Sequence, residues 1–210
     1  MNSESTECDG DRKETRMSAD ALVASVAEGV LMNKAKQPSE ELVVASQDVL
    51  IQGLELLFNI WDTTYSRVAE APYSASIGGH YRHVLEHFQC VIRGIRSGEI
   101  NYDARERNPR LEAEVTYATI ATCDVLRAIK NYTEAGLARP CKAVHSSSYD
   151  SAQPSVIEST VGRELAYCVG HAIHHYSIIR LICSHLGVEV PNQFGIAPST
   201  LKSRSGLAAD

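Results

Sequence analysis

A helical repeat of apolar residues constrains the fold of this chain more than any other feature. Leu50, Leu54, Leu57 and Trp61 recur at steps of three and four residues, which is the spacing that places side chains on one face of an α-helix. Three further segments, each about 20 residues long, carry comparable patterns. The sequence therefore predicts an all-α protein whose four amphipathic helices pack as a four-helix bundle.

Capping residues and turn residues suggest where the four predicted helices begin and end. The predicted ranges are 42–67, 74–96, 111–134 and 161–186. Thr160 is the expected N-cap of the fourth helix, and Gly187 is expected to end it. The long helix 3–4 connection, residues 139–159, is rich in serine and is compatible with a small hairpin.

The two ends of the chain differ in composition from the predicted bundle. Residues 1–40 begin with a stretch dense in Ser, Glu, Asp and Lys, and this composition predicts a disordered, flexible N-terminal tail. Residues 41–190 are expected to form the bundle. Residues 191–210 contain Pro191 and Pro198 and are predicted to be an extended C-terminal tail.

Composition excludes several classes of function. The formal net charge is −6 and no Lys/Arg cluster is present, which argues against nucleic acid as a partner. No apolar run approaches the length of a membrane span. The six cysteines form no CxxC pattern and no secretory signal is visible, so a cytoplasmic protein is expected. The sequence has no phosphate loop, dinucleotide fingerprint or serine nucleophile motif.

Histidines are grouped on the predicted fourth helix. His171 and His175 are four residues apart, so they stack on one side of the helix and flank its apolar face. His174 points further from that face and is expected to be solvated. A histidine pair at this spacing presents two imidazole nitrogens to a single ion, although buried, hydrogen-bonded histidines are the alternative interpretation.

The predicted second helix carries His80, His83 and His87, again at steps of three and four. One of these histidines would complete a site for one divalent metal ion between the two helices, because bundle cores are where such sites are built. The spacing alone slightly favours His80 or His87, which lie nearer the apolar centre of the helix. From the residues alone, all three remain candidates for the third ligand.

Both histidine segments resemble those of the DinB-like superfamily, which includes the YfiT-type metalloenzymes. Residues 76–83, followed by residues 84–87, resemble the second-helix motif, in which a histidine seven residues after Ser or Thr is the first metal ligand. Residues 170–176 resemble the HxxxH motif of the last helix. The resemblance covers about residues 42–187.

The resemblance implies a set of three metal ligands. Mapped onto this chain, they are His83, His171 and His175. His87 is then the alternative to His83, and His80 lies beside the site or on the surface. The resemblance also implies a bundle with zinc, nickel or iron at one end of a cavity. Zinc is the metal expected here.

The expected function is that of a metal-dependent enzyme. Three imidazoles leave one or more positions on the ion open, which is typical of catalytic sites. Some members of the superfamily are thiol-dependent transferases or isomerases that use low-molecular-weight thiols, so a thiol-dependent transferase or a hydrolase acting on a small molecule is expected. The alternative is a non-catalytic metal- or ligand-binding bundle, a scaffold or interaction protein. A homodimer is compatible with either.

Two residues on the predicted fourth helix share the side of His171. Glu164 precedes it by seven residues and Cys168 by three. Glu164 is a candidate to orient an imidazole or to accept a proton, and a solvated first-turn glutamate is the alternative. Cys168 is a candidate fourth ligand, and a small core residue is the alternative.

Other residues are candidates to line the cavity. Tyr81 and Tyr176 adjoin the histidines, with simple packing as the alternative. The loop 102–107 is densely charged, and Arg105 or Arg107 could contact an anionic substrate there. A plain solvated loop is the alternative.

Overall fold

Helices dominate the computed structural model of the chain, which describes residues 38–70, 74–150 and 152–206. In chain order the elements are α1 (Pro38–Phe58), α2 (Asp62–Tyr65), β1 (Val68–Ala69), β2 (Ala75–Ser76), α3 (Ile77–Ser97), β3 (Glu99–Asn101), α4 (Pro109–Ala113), α5 (Val115–Lys130), α6 (Glu134–Leu137), β4 (Pro140–His145), β5 (Ser155–Thr160), α7 (Val161–Leu186) and α8 (Pro198–Arg204). The mostly α-helical fold predicted from the sequence is confirmed.

The long helices α1, α3, α5 and α7 pack together as a bundle. Helix α3 contacts α7 most extensively, and α1 packs against both α5 and α7. The apolar stripe of α1 is fully buried in the core, as Leu50, Leu54 and Leu57 show. In the part of the chain that the structure describes, no helix is long and apolar enough to cross a bilayer.

Capping residues hold the ends of the two helices that carry the histidines. The Ser76 hydroxyl accepts a hydrogen bond from the Gly79 N–H at 2.9 Å at the start of α3, and Thr160 accepts one at the start of α7. Helix α7 ends at Gly187, whose φ of 71° is accessible to glycine at little cost. The predicted bounds of this helix are confirmed.

The first predicted helix ends earlier than expected. Helix α1 stops at Phe58, and the Asn59 side chain then donates a hydrogen bond to the Glu55 carbonyl oxygen at 2.8 Å. Trp61, predicted on the buried stripe, precedes α2 and is 57% exposed. The local hydrogen bonds of Asn59 replace the continuation of the helix.

The third predicted helix is broken into two. Glu114 has an extended backbone and separates α4 from α5. The N–H of Val115, at the start of α5, donates to the Asp62 carboxylate at 2.7 Å. This carboxylate satisfies a backbone donor that a new helix start leaves without an intrahelical partner.

A small sheet occupies the predicted long connection. Strands β4 and β5 form the expected hairpin, paired antiparallel from Pro140↔Thr160 to His145↔Ser155. Strand β3, in a segment predicted to be a loop, pairs parallel with β4. The Tyr102 N–H extends this pairing by donating to the Val144 carbonyl oxygen at 2.9 Å. The sheet thereby anchors the loop that follows β3 at the edge of the bundle.

The two terminal segments differ in what the structure describes. Most of the predicted N-terminal tail, residues 1–40, lies outside the described residues, and 38–40 begin α1. At the other end, α8 forms within residues expected to be extended. The Phe194 ring stacks on Tyr176 with centroids 4.8 Å apart and is fully buried. Part of the C-terminal segment therefore packs on the bundle.

Candidate metal centre

Three histidines converge where α3 packs against α7. His83 and His87 project from α3, and His171 projects from α7. One ring nitrogen from each of the three lies within 4.8 Å of the other two. The Nε2 atoms of His83 and His171 are 2.9 Å apart. Three imidazole nitrogens at these separations could hold a single metal ion.

A backbone contact fixes the orientation of the His87 ring. Its Nδ1 lies 2.7 Å from the His83 carbonyl oxygen one helical turn earlier. A carbonyl oxygen can only accept a hydrogen bond, so Nδ1 carries the proton and Nε2 keeps its lone pair. Metal-binding histidines commonly donate their second ring N–H to a backbone carbonyl in this way.

His175 lies beside these three residues and faces a different partner. Its ring centroid is 4.5 Å from those of both His83 and His171. Its Nδ1, however, is 2.9 Å from Nδ1 of His80, and His175 is outside the group of three converging nitrogens. The structure brings the predicted ligands His83 and His171 together, adds His87, and places His175 at their side. The complete ligand set remains a prediction.

The structure also places the remaining two histidines of the groups. Nε2 of His80 is buried and has no hydrogen-bond partner among the described residues, so His80 is beside the site and not on the open surface. His174 is exposed, as expected from its position on the helix.

Burial keeps the clustered imidazoles uncharged. Burial, reinforced by the neighbouring histidines, lowers the pKa of His83 to about 2. The same causes lower the pKa of His171 to about 4 and that of His175 to about 3. For His87, burial lowers the pKa to about 4 although its bond to the His83 carbonyl opposes the shift. Neutral imidazole is the form that binds a metal, so the residues present fit a transition-metal ion at neutral pH.

Two tyrosines form an aromatic wall beside the histidines. The Tyr102 ring stacks on His87 with centroids 5.2 Å apart, and the Tyr167 ring stacks on His171 at 5.3 Å. The two tyrosine rings are themselves 5.3 Å apart. Neither tyrosine was identified from the sequence. The position of Tyr167, four residues before His171, could have indicated that they share a helix face.

Glu164 is deeply buried and fully engaged, so the interpretation as a solvated glutamate is wrong. Its carboxylate accepts hydrogen bonds from the Tyr102 hydroxyl at 2.8 Å and the Ser159 hydroxyl at 2.6 Å. The Arg163 guanidinium donates a third at 3.0 Å. Among the described residues, Glu164 therefore hydrogen-bonds to Tyr102, whose ring lies against His87, and not to an imidazole.

Cys168 is a core residue in this structure. Its side chain is 1% exposed, and burial raises the pKa of its thiol well above the usual value. Its Sγ lies 4.0 Å from the Tyr102 hydroxyl oxygen, and it is outside the group of converging ligand atoms.

Tyr81 and Tyr176 pack in the core of the bundle. Their rings stack with centroids 6.3 Å apart, and both are fully buried. The Tyr81 hydroxyl lies 2.9 Å from the Thr122 hydroxyl oxygen. These contacts favour the packing interpretation of both tyrosines over a place in the cavity wall.

By sequence, part of this chain is similar to a known protein. No family model matches the chain. A protein named FK506-binding protein 5, from Rhizopus delemar, is 37% identical over 103 residues, which make up 49% of this chain and 27% of that protein. The chain thus spans roughly a quarter of that relative's length.

Among solved structures, YjoA, a DinB-like protein from Bacillus subtilis, superimposes with a TM-score of 0.56 at 19% identity. The match covers 73% of this chain and 98% of YjoA. At this identity the likeness establishes the fold and does not carry an activity. This chain therefore has the DinB-like fold that its two histidine motifs predict.

Proposed function

We propose that this protein is a metal-dependent enzyme that binds a divalent transition metal between α3 and α7 and catalyses a thiol-dependent transfer to a small molecule. The observation that carries the proposal is the convergence of ring nitrogens from His83, His87 and His171. The ligand set that we propose is the one that the resemblance implies, His83, His171 and His175. Because His87 converges with His83 and His171, which face each other directly, His87 competes with His175 for the third position.

The lining of the site supports binding of a small molecule next to the ion. A bound ion would supply Lewis acidity and lower the pKa of a thiol or water that it contacts. The Tyr102 and Tyr167 rings border His87 and His171 on one side and would limit the access of water to a ligand there. In the transfer, the thiol loses its proton to solvent, the sulfur forms a bond to an electrophilic carbon, and the leaving group departs with its electron pair.

The proposed setting is the cytoplasm. The described cysteines, which are Cys90, Cys123, Cys141, Cys168 and Cys183, are all free thiols. Unpaired cysteines are usual in a reducing compartment. We propose a small molecule as the partner, without nucleic acid or membrane, and a homodimer is compatible with this function.

Elemental analysis of the untagged full chain tests the metal site. We expect about one equivalent of a transition metal in the wild type, and its loss in His83→Ala and in His171→Ala. His174→Ala is the matched control, because this histidine is exposed on the same helix and its loss should leave the metal content unchanged. A wild type that binds no metal after reconstitution would refute the proposal.

Rate measurements test the enzymatic part separately. A panel of low-molecular-weight thiols would be reacted with 1-chloro-2,4-dinitrobenzene in the presence of metal-loaded and metal-free protein. The proposal requires a faster reaction with the loaded protein for at least one thiol, and loss of that difference in His83→Ala.

A second candidate function follows from the position of His175. Its ring is 4.5 Å from those of His83 and His171, so a rotation that directs its nitrogen inward would surround one ion with four imidazoles. A tetrahedral ion would then have no open position, which is typical of structural sites. Metal binding without any thiol transfer would favour this non-catalytic metal-binding bundle.

A further inference from the structure

We infer that Arg105 recognises a carboxylate or similar anionic group on the small molecule that binds beside the histidines. This inference rests on the proposed function, since it names the chemical class of the ligand for the same site. It also gives a role to a charged residue of the loop 102–107, from which the proposed metal chemistry uses only the Tyr102 ring.

Two contacts within the protein hold the Arg105 side chain. Its Nη1 donates to the Tyr102 carbonyl oxygen at 2.5 Å, and its Nε lies 3.9 Å from the Glu86 carboxylate. Glu86 immediately precedes His87 on α3, and the Tyr102 ring stacks on His87. The guanidinium is thus held at the main chain of Tyr102, the residue whose ring stacks on His87.

The charge of Arg105 reaches the whole histidine cluster. Burial is the main cause of the lowered pKa values of His83, His87 and His171, and the positive charge of Arg105 contributes to each. The same charge acts on the Cys90 thiol of α3 and on the Tyr167 hydroxyl of α7. Arg105 therefore lies within electrostatic range of residues on both α3 and α7.

The guanidinium retains donors for a ligand. Among the contacts of the described residues, one of its five N–H groups makes a hydrogen bond shorter than 3.5 Å, the Nη1 bond to Tyr102. Its side chain is 18% exposed, so it is shielded from water without being sealed off. A partly buried guanidinium with unused N–H groups is suited to bidentate recognition of a carboxylate.

The nearby carboxylates do not remove this capacity. One oxygen of Glu86 accepts the Asn108 N–H at 2.8 Å, and the other forms an ion pair with Arg105 Nε at 3.9 Å, which is longer than a hydrogen bond. Glu164 is engaged by Tyr102, Ser159 and Arg163. A ligand carboxylate would complete the hydrogen bonding of Arg105 and would also be attracted by a bound cation.

Two thiols that differ in one group test the inference. The cobalt-loaded full chain would be titrated with 3-mercaptopropionate and with 3-mercapto-1-propanol, and binding would be followed by calorimetry and by the thiolate-to-cobalt absorption. We expect the carboxylate thiol to bind about tenfold more tightly, as one charge-assisted hydrogen-bonded pair would give. We expect Arg105→Gln to abolish this preference while leaving the affinity for the neutral thiol unchanged.

Two further variants serve as controls. Arg107→Gln removes a charge from the same loop at an exposed position and should keep the preference. Arg105→Lys keeps the charge without the planar fork and should retain part of it. Thermal unfolding and cobalt content would show that Arg105→Gln is folded and loaded.

The outcomes separate this inference from the proposed function. Equal affinities of the wild type for the two thiols, no binding of the carboxylate thiol, or a preference that survives Arg105→Gln would each overturn the role of Arg105. Failure of the wild type to take up cobalt would count against the metal site instead. The same pair of titrations on the metal-free chain would then decide whether Arg105 selects a carboxylate.

Discussion

The Nδ1–H of His87 donates a hydrogen bond to the main-chain carbonyl oxygen of His83 across 2.7 Å, which fixes the His87 ring beside the His83 ring, with the ring centroids 4.4 Å apart. The main chain of α3 thereby selects the ring form of His87 whose Nε2 is available as a ligand. A metal ion between the two helices would therefore meet a His87 ring whose orientation is already fixed.

The first prediction concerns which histidines bind the metal. If His87 is a ligand, His87→Ala should weaken metal binding about 100-fold, or by about 2.7 kcal/mol, because the nitrogen is removed from the group of three. His80→Ala should weaken it about tenfold if His175 is a ligand, since His80 contacts the His175 ring. Competition titrations with a chromophoric chelator measure both. An effect of His175→Ala that exceeds that of His87→Ala would support the ligand set implied by the resemblance.

The second prediction concerns stability and pH in the metal-free protein. The pKa values of His83, His87 and His171 lie below the ordinary value near 6.5. The unfolded chain therefore binds more protons than the folded chain below pH 6.5, and the free energy of unfolding should fall as the pH falls.

The pH range for this test is about 6.5 to 5, above the range in which ordinary carboxyl groups titrate. Denaturant titrations at several pH values would give the slope. We expect a shallower slope in His83→Gln combined with His171→Gln, because two of the responsible groups are absent. A slope that is the same in wild type and double variant would contradict the assignment.

The third prediction concerns Tyr102 and the buried carboxylate behind it. Tyr102→Phe removes the hydroxyl that donates to Glu164 at 2.8 Å and keeps the ring that stacks on His87. The loss of a hydrogen bond to this 1% exposed carboxyl group should destabilise the fold by about 1–3 kcal/mol. Metal content should be unchanged, since the ring remains. Tyr149→Phe is the control, because Tyr149 is fully exposed and its change should leave the unfolding midpoint in place.

The fourth prediction compares two glycines on the histidine-bearing helices. A Cβ added at Gly78, in α3, would lie 1.9 Å from the Glu112 carbonyl oxygen, so the backbone of α4 would have to move. Gly78→Ala should therefore destabilise the protein by about 1–3 kcal/mol. A Cβ at Gly170, in α7, would meet nothing within 4 Å. Gly170→Ala should stabilise the protein by about 0.5–1 kcal/mol, because alanine has the higher helix propensity. Equal effects in thermal unfolding would contradict the close approach at Gly78.

Periodicity and capping residues predicted the parts of the fold that local physics determines. The bounds of α7 follow from Thr160 and Gly187 at its ends, and the buried stripe of α1 follows from the spacing of its leucines. The early end of α1 and the break at Glu114 were not predictable in this way. The end of α1 depends on hydrogen bonds of Asn59, which the apolar pattern does not indicate. The start of α5 depends on Asp62, which lies 53 positions earlier in sequence.

The sequence predicted which two helices carry the candidate site, but not which ring atoms converge there. Spacing placed all the candidate histidines on two helices, and the resemblance selected His83 and His171, which face each other. It could not show that a ring nitrogen of His87 converges with those of His83 and His171, because the orientation of the ring depends on a backbone hydrogen bond. It also gave no sign of Tyr102, which reaches His87 only because β3 pairs with a strand about 40 residues later.

The parallel pairing of β3 with β4 has a consequence for how such a protein can diversify. The histidines belong to the two helices of the bundle, whereas Tyr102 and Arg105 are delivered by a separate, sheet-anchored loop. Substitutions or length changes in that loop can alter which ligands bind beside the histidines, while the helices that carry the histidines stay as they are. The same two helices could thus serve different ligands when the loop after β3 changes.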